Sequence, residues 1–212
     1  MKRILRTAFT TIMGLAALQM SAGVEAVKAA FLNMPEQLAP LLSTNGKLDM
    51  IDYFESGLDT PTANVVDGRM RITELTPDIM SVSLGEAMVM DICLLATASD
   101  TVAMYVSTYA TPAPDSQITI LSADGTDVTD RLFKAPELKQ WLTPQGRKHR
   151  KEVEQMLTYM TVAYSYDPAT RTLTAKMDYP GTLAVEVRDK LMPLLHSKLV
   201  YTWNGKKFLL GK

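Results

Sequence analysis

Between Ile79 and Leu121 four apolar runs of strand length follow one another, with only short turn segments between them. They are Ile79–Leu84, Ala87–Ala96, Val102–Tyr109 and Gln117–Leu121. Gly85-Glu86, Thr97–Asp100 and Pro112-Ala113-Pro114 separate them. Short, regularly spaced strands broken by turn residues predict an antiparallel meander. Val65-Val66 running into Asp67-Gly68, then Met70-Arg71-Ile72, extend the β region upstream, since Asp-Gly is a hairpin-type dipeptide.

Helical periodicity flanks this region. Met34-Pro35-Glu36 places proline and an acid where a helix starts. Leu48, Ile51, Phe54 and Leu58 recur at helical spacing and predict a helix over 47–57 with these four as its apolar side. Asp49, Asp52 and Glu55 fall on another face. Ala135-Pro136-Glu137 opens a second helical piece, with Leu138, Trp141 and Leu142 inward. Strands are predicted over 156–166 and 172–177, turning at Asp167–Thr170. A helix with Leu183, Val187 and Leu191 inward follows, and the chain closes on a hairpin at Asn204-Gly205. Helices and strands do not alternate one for one, which argues against a doubly wound parallel sheet. The expectation is an α+β fold, mostly antiparallel, with helices packed on one face and two similar helix-then-strands halves that divide near 131–136.

The first 26 residues read as a secretory signal. Lys2, Arg3 and Arg6 precede an apolar run from Ala8 to Met20, and small residues lead to Val24-Glu25-Ala26. Such a run is shorter than the ~20 residues a membrane-spanning helix needs. Cleavage is expected after Ala26, with Ala22 and Gly23 as alternatives, leaving one α+β domain over 27–212. The expected location is the periplasm or the cell exterior. The lone cysteine, Cys93, lies far from the signal, so the chain is not read as a lipoprotein, and one thiol forms no internal disulfide. In Met-Asp-Ile-Cys-Leu-Leu it reads as a buried strand thiol with no basic neighbour to activate it. The chain's net charge of −1 lacks the basic footprint of a nucleic-acid binder.

Chemical motifs are sparse. The two histidines, His149 and His196, stand in no zinc or triad pattern, and no phosphate-binding or nucleophile-elbow motif occurs. No cofactor and no metal site is expected. Asp49, Asp52 and Glu55 read as a solvated helix face. Asp124-Gly125-Thr126-Asp127 reads as a turn followed by an Asp cap, because the alternating ligands and closing glutamate of a calcium loop are missing. The methionines Met88, Met90, Met104, Met156 and Met160 read as core filling. Tyr159, Tyr164, Tyr166, Tyr179, Tyr201 and Trp203 concentrate aromatic surface in the C-terminal third. The one dense basic run is Arg147-Lys148-His149-Arg150-Lys151, which makes Arg147, Lys148, Arg150 and Lys151 the candidate partner-binding residues, for an acidic partner or anionic envelope surface.

Phe31-Leu32-Asn33-Met34-Pro35, Leu41-Leu42 and Leu48-Asp49-Met50-Ile51-Asp52-Tyr53 together resemble a known family, as do Leu94-Leu95, Thr111–Ser116 and Tyr201-Thr202-Trp203-Asn204-Gly205. It is the Bacteroidales domain-of-unknown-function family 3256, and the resemblance spans nearly all of the chain after the signal. Gly46-Lys47 departs from the more polar pair expected there. The resemblance implies an exported protein of a bacterial envelope and carries over no functional residue. The leading functional expectation is a non-enzymatic envelope binding or accessory module whose partner is an envelope protein or glycan. The alternatives are a carboxylate-based periplasmic hydrolase using Asp49, Asp52, Asp115 or Asp124, and a protein that self-associates through a sheet edge.

Overall fold

The structure is a computed structural model and describes residues 23–64, 68–110 and 113–211. Val65, Val66 and Asp67, expected to lead into a hairpin, lie outside the described residues. So do Thr111 and Pro112 and most of the predicted signal.

Helix α1 (23–32) opens the described chain, and a 3-10 turn, Glu36–Leu38, leads to α2 (Thr44–Glu55). Ser43 caps α2, its hydroxyl accepting from the Gly46 N–H at 3.0 Å. Six strands follow: β1 (Thr62–Ala63), β2 (Arg69–Leu75), β3 (Ile79–Ser83), β4 (Met88–Ala96), β5 (Thr101–Tyr109) and β6 (Asp115–Leu121). They pair in sequence order, every neighbour antiparallel. The meander is therefore as the turn spacing predicts. Four short helices come next: α3 (Thr129–Leu132), α4 (Leu138–Trp141), α5 (Pro144–Lys148) and α6 (Arg150–Met156). The hairpin β7 (Ala163–Asp167) and β8 (Thr172–Lys176), helix α7 (Val185–Leu191), and the hairpin β9 (Lys198–Trp203) and β10 (Phe208–Leu210) complete the chain. The last four strands form a second antiparallel sheet, in the order β10-β9-β8-β7.

Strand alternation gives the large sheet two apolar faces. Met90 and Ile92 of β4 join Met70, Met80, Val82 and Tyr105 beneath α1 and α2, where Val27, Phe31, Met34, Met50 and Ile51 meet them. Cys93 and Leu95 join Val102, Met104, Val106 and Ile120 on the opposite face, against the small sheet and the later helices. The methionine-rich layer needs no matched shapes, because unbranched thioethers fill irregular gaps. Burying each such side chain fully contributes about 1.5–3 kcal/mol. Met90 and Met104 are core residues as expected, while Met156 and Met160 only pack against the core edge. Phe133 ties the small sheet to the helices, with edge-on ring contacts to Tyr164, Tyr201 and Phe208 at 5.4–6.0 Å.

Two expectations change. Helix α2 turns Gly46, Lys47, Met50 and Ile51 inward, and leaves Leu48 (46% exposed), Phe54 (37%) and Leu58 (54%) outside. The reason is Lys47: its ammonium donates to the Leu32 and Met34 carbonyls at the end of α1, which rotates the helix away from its simplest apolar stripe. The strand predicted over 156–166 starts only at Ala163. Upstream, Thr143 caps α5, Arg150 pairs with Glu154 one turn on at 2.7 Å, and Val153 faces the core, all of which favour helix.

A candidate binding cleft at the turn end of the meander

Alternate turns of a meander emerge at the same end of its sheet. The β2–β3 turn carries Pro77 and Asp78, the β4–β5 turn carries Asp100, and the turn after β6 carries Ser122–Gly125. These three turns meet α1 and the β7–β8 turn around a cleft of about 950 Å³. Ala26, Ala29 and Ala30 of α1, with Asn33 just after it, form one wall, and Tyr166, Pro168, Arg171 and Trp203 form another. Leu94, Ala96, Ala103 and Tyr105 also line it.

Two of the carboxylates, Asp100 and Asp124, are held in place. Ser122 Oγ donates to Asp124 Oδ1 at 2.6 Å and the Thr126 N–H donates to the same oxygen at 3.1 Å. These bonds, the Ser122 one foremost, hold the Asp124 carboxyl below the usual carboxylate range. Asp100 accepts from the Thr101 N–H at 2.7 Å. Burial pushes the Tyr166 phenol up to about 12, so it keeps its proton and remains a donor at neutral pH. Arg171 stands at φ 55, a left-handed backbone that a non-glycine residue adopts at some cost, in the turn that carries it to the cleft. Trp203 Nε1 donates to the Ala96 carbonyl at 2.8 Å and so fixes the small sheet to the large one at the cleft. Tyr105 Oη does the same for α1, donating to the Ala30 carbonyl at 2.9 Å.

The residues singled out from the sequence are scattered. Asp124 lies in the cleft. Asp49 and Asp52 sit on the exposed side of α2, and Asp115 is spent on structure, accepting from the Val162 N–H at 3.0 Å where β6 meets the second half. Arg147 and Lys148 end α5, and Arg150 and Lys151 open α6, all exposed and none lining the cleft. They flank a smaller hollow lined by His149, Glu152, Met156 and Lys190. His149 Nδ1 lies 3.0 Å from Glu152 Oε1. Cys93 is buried between the sheets, and burial pushes its thiol up, which leaves it a poor nucleophile. Asp127 Oδ1 accepts from the Thr129 N–H at 2.8 Å in a local turn, but the cap position of α3 is Val128 and the helix has no side-chain cap bond. Tyr164, Tyr201 and Trp203 are core residues, while Tyr159 is exposed. Among the described residues, no group of three or more His, Cys, Asp or Glu side chains is placed to hold a metal ion.

Sequence reasoning missed Asp78, Asp100 and Arg171, each of which reads locally as an ordinary turn residue. The overlooked signal was topological: in a predicted meander, every second turn shares one end.

Two antiparallel sheets sharing one core, with paired helices over the larger and a cleft where turns of both converge, define the architecture. A family model described as "Protein of unknown function (DUF3256)" matches residues 18–208, and the chain belongs to that family. No curated protein matches the chain. A solved domain of an uncharacterized protein from Porphyromonas gingivalis W83 has the same fold, with a TM-score of 0.72 at 19% identity, over 87% of this chain and 96% of the other.

Proposed function

We propose that this protein is an exported binding or accessory module of the bacterial envelope, and that its ligand occupies the cleft between α1 and the two sheets. The observation that carries this reading is the cleft itself. It is large enough for a short oligomeric ligand, and its Asp100 and Asp124 carboxylates are held by hydrogen bonds before anything binds. Asp78, Asp100, Asp124 and Arg171 offer both charges, and Tyr166 offers a ring edge and a hydroxyl, over a floor of small apolar side chains. That mixture suits a hydroxyl- and amide-bearing chain such as an envelope glycan or peptidoglycan fragment. Asp124, held ionised, serves as a hydrogen-bond acceptor for such a chain. The exposed basic run at Arg147, Lys148, Arg150 and Lys151 is a second, separate contact surface for an acidic envelope partner. The leading apolar run and the basic start support export. Among the described residues, no helix is long and apolar enough to cross a membrane.

The test is calorimetric titration with muropeptides and envelope oligosaccharides, comparing the natural chain with Ala29→Trp, whose indole would fill the cleft from an exposed wall position. Saturable binding lost in the variant is the expected result. Binding that the variant retains, or no binding of either probe class, overturns the assignment of the cleft. Cleavage of the same probes by the natural chain would favour the hydrolase reading.

A further inference from the structure

The candidate cut after Ala26 falls inside α1, and the packing of that helix bears on where the leader ends. Val27, the next residue, has 0% of its surface exposed and lies in the core with Phe31, Met70 and Tyr105. Glu25 Oε1 pairs with Lys28 Nζ at 2.6 Å, and the same ammonium reaches Glu55 Oε1 of α2 at 2.7 Å, so one lysine holds the start of α1 to α2. Gly23 lies against Pro77 so closely that a Cβ there would meet the proline ring. Residues 23–26 are thus part of the folded unit.

Hydrolysis of the Ala26–Val27 amide would add water across that bond, leaving a carboxylate on Ala26 and an α-ammonium on Val27. The new charge would sit on the backbone nitrogen of a residue whose side chain lies in the core, and the turn of α1 that precedes it would be lost. It would also remove Glu25 from Lys28 and shorten α1 to residues 27–32. A cut at Gly23 or just before it places the ammonium on a half-buried residue at the edge of the cleft, within reach of water. Small residues occupy that point: Ser21-Ala22-Gly23 has the small-x-small pattern that signal-removing endopeptidases accept.

We infer that the leader is removed at Ala22–Gly23 or Gly23–Val24, so that the mature chain begins at Gly23 or Val24 and keeps Glu25 and α1 from Val24 onward. This rests on the export reading and goes beyond it by naming the bond. The full-length chain, produced in an exporting bacterial host, is to be recovered from the envelope fraction for intact mass and N-terminal sequencing. A first residue of Gly23 or Val24 is expected. A first residue of Val27, or any other position, overturns the inference while leaving export standing, whereas a chain that retains Met1 overturns both. A second arm uses Ala26→Leu, a bulky side chain at an exposed position. Processing as fast as that of the natural chain is expected, and accumulation of precursor would show that Ala26 is the residue before the cut.

Discussion

Lys47 Nζ lies 2.9 Å from the Met34 carbonyl oxygen, inside the core, and 3.2 Å from that of Leu32. A buried lysine, with no carboxylate bonded to it among the described residues, caps the carbonyl end of α1, with the Phe31 ring 5.9 Å from its ammonium. The last carbonyls of a helix have no partner within it, and a cation there also meets the negative end of the dipole. Lys47→Met keeps the apolar stem and deletes the donor. It is expected to cost about 1.5–3 kcal/mol, the range for hydrogen bonds to charged groups. Urea denaturation followed by circular dichroism measures this, and a loss below a few tenths would contradict the capping role.

Burial pushes the phenols of Tyr105, Tyr166 and Tyr201 up to about 12, and raises that of Tyr164 as well. In the unfolded chain these groups ionise near 10, so the stability they contribute is whole below pH 10 and is lost as pH rises toward 12. Lys47 has the opposite sign. Burial lowers its ammonium from 10.5, so its contribution grows as pH climbs through its folded value toward 10.5. Four tyrosines outnumber one lysine, and alkaline unfolding between pH 10 and 12 is expected. Absorbance at the phenolate band should show these tyrosines ionising together with the loss of ellipticity.

Trp203 and Trp141 form an internal comparison. Both are core residues, but Trp203 Nε1 bonds the Ala96 carbonyl, whereas Trp141 Nε1 has no partner among the described residues. Trp203→Phe is expected to cost about 1 kcal/mol more than Trp141→Phe, since only the first breaks a hydrogen bond and strands an acceptor. Denaturation midpoints of the two variants decide it, and equal losses would show that Trp203 does not tie the sheets.

Gly146 follows the cap residue Thr143 in α5, where a Cβ would overlap the Leu194 carbonyl oxygen. That oxygen accepts from the Thr143 N–H and cannot retreat freely. Gly146→Ala should destabilise by about 1–3 kcal/mol, the usual cost of overpacking, even though alanine is the better helix former. A variant as stable as the natural chain, measured by thermal melting, would mean that the α5 contact yields easily.

Reversing Arg147, Lys148, Arg150 and Lys151 to glutamate is expected to abolish capture of an acidic envelope partner while leaving muropeptide titration of the cleft unchanged. Arg150 also pairs with Glu154, so the same variant should lose only about 0.3–0.5 kcal/mol of helix stability from that pair. Capture assays from envelope extract, run beside calorimetry, separate the two surfaces, and unchanged capture would remove the basic run from the functional surface.

Several features were legible in the residues alone. The antiparallel meander followed from the turns at Gly85-Glu86 and Thr97–Asp100, because links that short join neighbouring antiparallel strands, while the full sheet order came from the structure. Cys93 as a buried thiol followed from local pattern, and so did the closing hairpin at Asn204-Gly205, where Gly205 takes φ 83. These depend on interactions within a few residues. What only the tertiary structure decided depends on pairs far apart in the chain. Lys47 faces inward because α1 ends beside it, fifteen residues away in the chain from Leu32. Asp78, Asp100, Asp124 and Arg171 share a cleft because alternate turns of one sheet meet a hairpin of the other. Local periodicity reports which face of an element is apolar. Which element covers that face, and which turns converge, is set by long-range packing, where a single buried ammonium outweighs the simplest stripe.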